Sequence, residues 1–131
     1  MTNEDKIELV MYRINRAKET LSEVEFQIEN EKWNTAVNRL YYSCYYAVIA
    51  LLTWNDINAK THTGVRQMFG LHFIKPGIIA EDLGDFYTDI FEMRQTGDYD
   101  DFISFEDSKV IALVDPARKL ILQIEKLLNQ K

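Results

Sequence analysis

The sequence predicts an all-α protein: an antiparallel up-and-down bundle of four long helices plus one short helix. Three observations predict it. Apolar residues recur every three and four positions over long stretches. Only two prolines and five glycines interrupt the chain. No segment alternates with the period-two rhythm of a half-buried strand. At 131 residues the chain is expected to form one domain over 1–131, large enough to bury roughly two-thirds of its unfolded surface.

The first helix is the clearest. Ile7, Ile14, Leu21 and Ile28 repeat every seven residues, and Val10, Ala17 and Val24 fill the alternate positions. That is a bundle seam of almost thirty residues. Thr2 and Asp5 form a capping box at its start, and Asn30-Glu31-Lys32 makes the turn. A second helix from Trp33 to Trp54 is apolar nearly all round beyond Leu40, the signature of a helix buried in the middle of the fold. Thr61 or Thr63 caps a short third helix ending near Phe73, and Lys75-Pro76-Gly77 stops it. A fourth helix is expected from about Ile78 to Thr96, ended by Gly97, with a loop from Asp98 to Ile103. Ser104 and Asp107 cap a last helix that reaches Asn129 and is kinked near Ala112 by Pro116.

Composition excludes several classes. The net charge of −6 and the pI near 4.9 argue against a broad non-specific nucleic-acid surface, so DNA is not an expected partner. Ten acidic residues between Glu81 and Asp107 surround one basic residue, Arg94. Cys44 is the single cysteine, so neither an intrachain disulfide nor a cysteine zinc site can form. No signal peptide or membrane-length apolar run is present, and the expected location is the cytoplasm. A calcium loop starting at Asp98 fails, because Ile103 and Lys109 stand where Gly and Glu are required. There is no phosphate-binding glycine loop and no nucleophile elbow. No metal or cofactor is expected.

Arg94 is the residue that stands out. With Ile90 at zero and 100° per residue, Leu83, Phe86, Tyr87 and Ile90 cover an arc from roughly −40° to +60°, and Arg94 falls near +40°. A cation aimed with buried rings is either paired or working at a site, because an unpaired buried charge is costly. The plain alternative is an ion pair with Asp98 near the helix end. His62, at a helix start beside Thr61 and Thr63, has backbone N–H groups nearby for an anion. His72 reads as a core-edge histidine. The tyrosines Tyr41, Tyr42, Tyr45 and Tyr46 need hydroxyl partners if buried. With Arg39 the one basic residue among them, they point to packing or an interface rather than to base stacking. Asn38 shares the face of Tyr42 and must be satisfied there.

Together, Asn38-Arg39-Leu40-Tyr41-Tyr42 with Tyr45-Tyr46-Ala47, then Thr61-His62-Thr63-Gly64-Val65 with Phe69, then Arg94 followed by Gly97-Asp98-Tyr99, resemble the HEPN superfamily over nearly the whole chain. The resemblance implies a homodimeric bundle with the two loops after the fourth helix close together. It also implies a minimal nucleotidyltransferase as partner in a toxin–antitoxin pair, in which the transferase adds AMP to the HEPN member. Many HEPN proteins resemble metal-independent ribonucleases with an Arg followed, four to six residues on, by His. Here Tyr99, Asp100 and Asp101 occupy those positions. Phenols titrate near about 10 and carboxyls near about 4, both poorly matched to proton transfer at neutral pH.

The expected function is therefore a HEPN protein acting with a nucleotidyltransferase, in a toxin–antitoxin-like or nucleotide-binding system. Arg94, Asp98 and Tyr99 would form the functional loop, lined by His62, Asn38 and Tyr42, with a nucleotide or RNA as ligand and Tyr99 as the AMP acceptor. One alternative is a ribonuclease in which Arg94 stabilises charge and His62 carries the proton. Another is a non-catalytic structural dimer. The residues leave these open.

Overall fold

In the computed structural model the described residues are 1–97 in full, 98 and 99 as backbone, and 105–129. Six α-helices follow one another: α1 (Asn3–Glu29), α2 (Trp33–Trp54), α3 (His62–Phe69), α4 (Glu81–Tyr99), α5 (Asp107–Ile111) and α6 (Val114–Asn129). No strand occurs among the described residues. The all-α bundle read from the sequence is the fold.

The capping box of α1 forms as its residues require: Thr2 Oγ1 accepts from Asp5 N–H at 3.0 Å, and Asp5 Oδ2 accepts from Thr2 N–H at 3.1 Å. Val10, Ile14, Ala17 and Val24 are buried along the seam, whereas Ile7, at its outer end, is exposed. The chain reverses at Glu31, whose φ of 56° lies in the left-handed region. It returns as α2, which packs against α1, α4 and α6. That central place explains the composition of α2: Ala36, Val37, Leu40, Tyr41, Cys44, Ala47, Val48 and Leu51 are all buried. Burial pushes the Cys44 thiol up to about 12, so it stays protonated and inert. Helix α6 is tied to α1 by the Lys18–Glu125 and Arg118–Glu25 ion pairs.

Four boundaries differ from those expected. Helix α3 runs into a π-helical turn, Gly70–Ile74, before Gly77 (φ 81°) redirects the chain. Helix α4 starts at Glu81 rather than Ile78, because Ile79 is buried and its N–H donates to Phe73 O at 2.8 Å. Gly97 does not end α4, which continues to Tyr99. A Cβ at Gly97 would sit 3.0 Å from the Phe105 ring, so this glycine serves a close contact instead. Finally, α5 begins after Glu106, which makes no side-chain cap. Ser104 lies outside the described residues, as does the rest of the expected loop beyond Tyr99. The expected kink is a full break at Ala112 and Leu113. Pro116 has no N–H to give Ala112 and is instead accommodated in the first turn of α6.

No helix among the described residues is long and apolar enough to cross a membrane.

Candidate functional site

Three helices bring the site together. Helix α2 supplies Tyr41, Tyr42 and Tyr45, α3 supplies His62 from its first turn, and α4 supplies Arg94.

Arg94 is 8 % exposed, so its projected inward aim is real. Its guanidinium carbon lies 4.9 Å from the Tyr41 ring centroid and 5.7 Å from that of Tyr42. Its Nη1 donates to the Tyr42 hydroxyl at 3.5 Å. A guanidinium is weakly hydrated and planar, which makes it the cation best suited to sit among aromatic faces.

His62 meets the same rings. Its Nδ1 is 2.7 Å from the Tyr41 hydroxyl. The imidazole lies 4.5 Å from the Tyr45 ring centroid and 5.8 Å from Tyr42. Thr61 fixes the start of α3, its Oγ1 accepting from Gly64 N–H at 2.9 Å. A Cβ at Gly64 would be only 3.0 Å from that oxygen.

The electrostatics assign the proton. Burial pushes the Tyr41 phenol up to about 12 despite the nearby Arg94 charge, so Tyr41 keeps its O–H at any physiological pH. The Tyr87 hydroxyl also lies near it and acts on it as a hydrogen-bond donor does, favouring the ionised form, which burial outweighs. A buried O–H needs an acceptor, and Nδ1 at 2.7 Å is the closest one. The ring nitrogens are therefore assigned by the network: Nδ1 accepts, and the neutral ring carries its proton on Nε2. Burial first, and the positive charge of Arg94 second, pull the His62 pKa below its ordinary value. The imidazole is neutral near pH 7. The site thus presents one permanent cation and one neutral N–H donor beside half-buried tyrosine rings.

Asn38 is half-buried next to this group. Its Oδ1 accepts from Arg39 Nε at 3.2 Å and Nη2 at 2.9 Å. Arg39 in turn covers Tyr42 at 5.3 Å. Of the six candidates, Arg94, His62 and Tyr42 are brought together, and Asn38 stands one turn before Tyr42 on α2, bonded to Arg39. The remaining two, Asp98 and Tyr99, close α4 as backbone. Their side chains lie outside the described residues, and with them the expected Arg94–Asp98 ion pair. His72 is exposed rather than at the core edge, because the π-helical turn advances it past the buried face that Phe73 occupies. Among the described residues no group of three or more His, Cys, Asp or Glu is gathered so as to hold a metal ion.

Sequence reasoning missed the other arginines. Arg16, from α1, covers Tyr46 at 5.2 Å. Arg13, also from α1, is close enough to Tyr45 to favour its ionised form, although burial outweighs it. The α2 tyrosines are therefore interleaved with cations after all, contributed by neighbouring helices. A signal existed: Arg16 and Tyr46 stand equally far along the chain from Glu31, so a hairpin turning there sets them level.

A family model described as the HEPN domain matches residues 10–128. The chain is similar to a UPF0332 protein of Thermotoga maritima, 36% identical over 125 residues, covering 95% of each chain. It is also similar to a Methanocaldococcus jannaschii protein named putative toxin MJ0142, 33% identical, covering 90% of this chain and 80% of that one. A second protein of that organism, named putative toxin MJ0605, is 36% identical over 99 residues, covering 76% of this chain and 74% of its own length.

Proposed function

The chain belongs to the HEPN family, and from that premise we propose that it is a toxin-like member that binds a nucleotide or RNA at Arg94, His62 and Tyr42. In this reading it acts as a homodimer with a minimal nucleotidyltransferase partner, and binding proceeds without efficient turnover. The observation that carries the binding role is the convergence of Arg94 and His62 on one pair of rings, Tyr41 and Tyr42. A phosphate oxygen would take N–H groups from the guanidinium and from His62 Nε2, while a base stacks on the exposed part of the tyrosine face. The relatives named putative toxin support the toxin-like role.

The protonation pattern supports binding over catalysis. A general base at His62 would need a free lone pair on Nε2, and the Tyr41 hydroxyl favours the opposite tautomer. Arg94 stabilises negative charge but cannot move a proton at neutral pH. Calorimetry with AMP, ATP and a short single-stranded RNA tests the reading. Wild type is expected to bind at least one of them, and Arg94→Ala to weaken that binding by about tenfold or more. Equal binding by both proteins would overturn it. The partner is tested by incubation with the transferase and ATP, where mass spectrometry is expected to find AMP on Tyr99. An unmodified Tyr99 would remove that part of the proposal.

One observation favours a second reading. His62 and Arg94 meet the same two tyrosine rings within a single chain, and His62 is neutral near pH 7, so a metal-independent ribonuclease would have its charge stabiliser and proton carrier close together. Metal-free cleavage of purified RNA that disappears in both Arg94→Ala and His62→Ala would establish it. No cleavage by clean wild type would retire it.

A further inference from the structure

Tyr45 belongs to two places at once. Its ring packs on His62, and it also lines a cavity of about 420 Å³ between the start of α1, the end of α2 and the connection to α3. Leu9, Ile49, Leu52 and Ile57 give that cavity apolar walls, set among the polar groups of Arg13, Thr53, Asp56 and Asn58. Its volume is in the range of small-molecule sites, at roughly 300–1,000 Å³.

The charges lining it do not cancel. Lys6 Nζ is 3.4 Å from Asp56 Oδ1 and donates to Trp54 O at 3.4 Å, so this lysine and this aspartate answer each other. Arg13 is different. It is half-buried, its Nη1 donates to Thr53 Oγ1 at 2.7 Å, and no carboxylate among the described residues pairs with it. Among its side chains the cavity is therefore left with one positive charge, Arg13, that no acid offsets, above apolar side chains and against an aromatic ring. A planar, largely apolar body carrying an anion fits that combination, and a nucleotide is such a molecule. A free phosphate would leave the apolar lining unused, and an apolar ligand would strand the cation.

We propose that this cavity is a subsite for the nucleotide unit adjoining the one held at Arg94, its base against Tyr45 and Ile49 and its phosphate on Arg13. The proposal rests on the binding reading of the Arg94–His62 site. Tyr45, as the wall common to both, sets the step between the two units, and the preferred ligand becomes a dinucleotide segment rather than a mononucleotide.

The test uses the full chain with the dinucleotide pApA and with AMP, read by calorimetry and by the methyl signals of Ile49 and Ile57. The expected result is that pApA shifts those methyls and binds about tenfold more weakly to Arg13→Gln, while AMP bound at Arg94 is unaffected. Ile57→Trp, which fills the cavity and leaves every charge in place, should also weaken pApA and spare AMP. If both variants bind pApA as wild type does while Arg94→Ala has lost it, the subsite is overturned and the Arg94 reading stands. AMP binding that needs Arg13 but not Arg94 would make the cavity a separate site and overturn the linkage. No binding of pApA by a wild type that still binds AMP through Arg94 would overturn the subsite, and no binding of either would overturn both.

Discussion

Arg94 shows how a charge survives inside an apolar helix face. Its planar head spreads over two tyrosine rings, which a compact, strongly hydrated ammonium could not do as well. The helical projection alone was enough to see it pointing inward, since that depends only on spacing within one helix. Helical spacing could not say what it meets, because Tyr41 and Tyr42 come from another helix; the expectation of Tyr42 beside it came from the family resemblance. The hydroxyl partner of Tyr41 was equally hidden, His62 being a long loop away. A different buried polar group makes the contrast. Thr20 is fully buried, and its Oγ1 has no hydrogen-bond partner among the described residues. An unsatisfied buried hydroxyl costs stability, so Thr20→Val is expected to stabilise the fold by about 1 kcal/mol. Urea unfolding would check it, and a loss of stability would mean the hydroxyl is in fact served.

Elements bounded by local chemistry were read well. Helices α1 and α2 and the turn between them follow from the heptads, the capping box and one polar tripeptide. Elements bounded by tertiary contact were not. Helix α4 starts late because the burial of Ile79 holds the preceding backbone, and it runs past Gly97 because that position faces Phe105. Neither fact is visible one helix at a time. At this scale α3 is the part on which the site depends, since its first residue is His62. The Thr61 cap holds that end, and Thr61→Ala is expected to cost about 1 kcal/mol. The denaturation midpoint would fall with no change in the slope of the transition. An unchanged midpoint would show that tertiary contacts alone fix the start of α3.

For the molecule as a whole, net charge was a poor guide to local field. The sum of −6 conceals a face where Arg16, Arg39 and Arg94 all lie over α2 tyrosines, with Arg13 beside Tyr45. Folding sorts the charges, and a sum over the chain cannot. The same arrangement sets a pH dependence. Because the folded protein holds the His62 pKa below its unfolded value near 6.5, the folded state binds its proton more weakly than the unfolded chain does. The contribution of neutral His62 to stability is therefore present above pH 6.5 and is lost as pH falls through the lower folded value. The account stands on Arg94 and His62 sharing one site, and an NMR titration of the His62 ring in wild type and Arg94→Gln tests that most directly, with His72→Gln to assign the signals. The predicted wild-type midpoint lies below 6.5 and rises toward it when the Arg94 charge is removed. A wild-type midpoint at 6.5 that Arg94→Gln leaves in place would contradict the account.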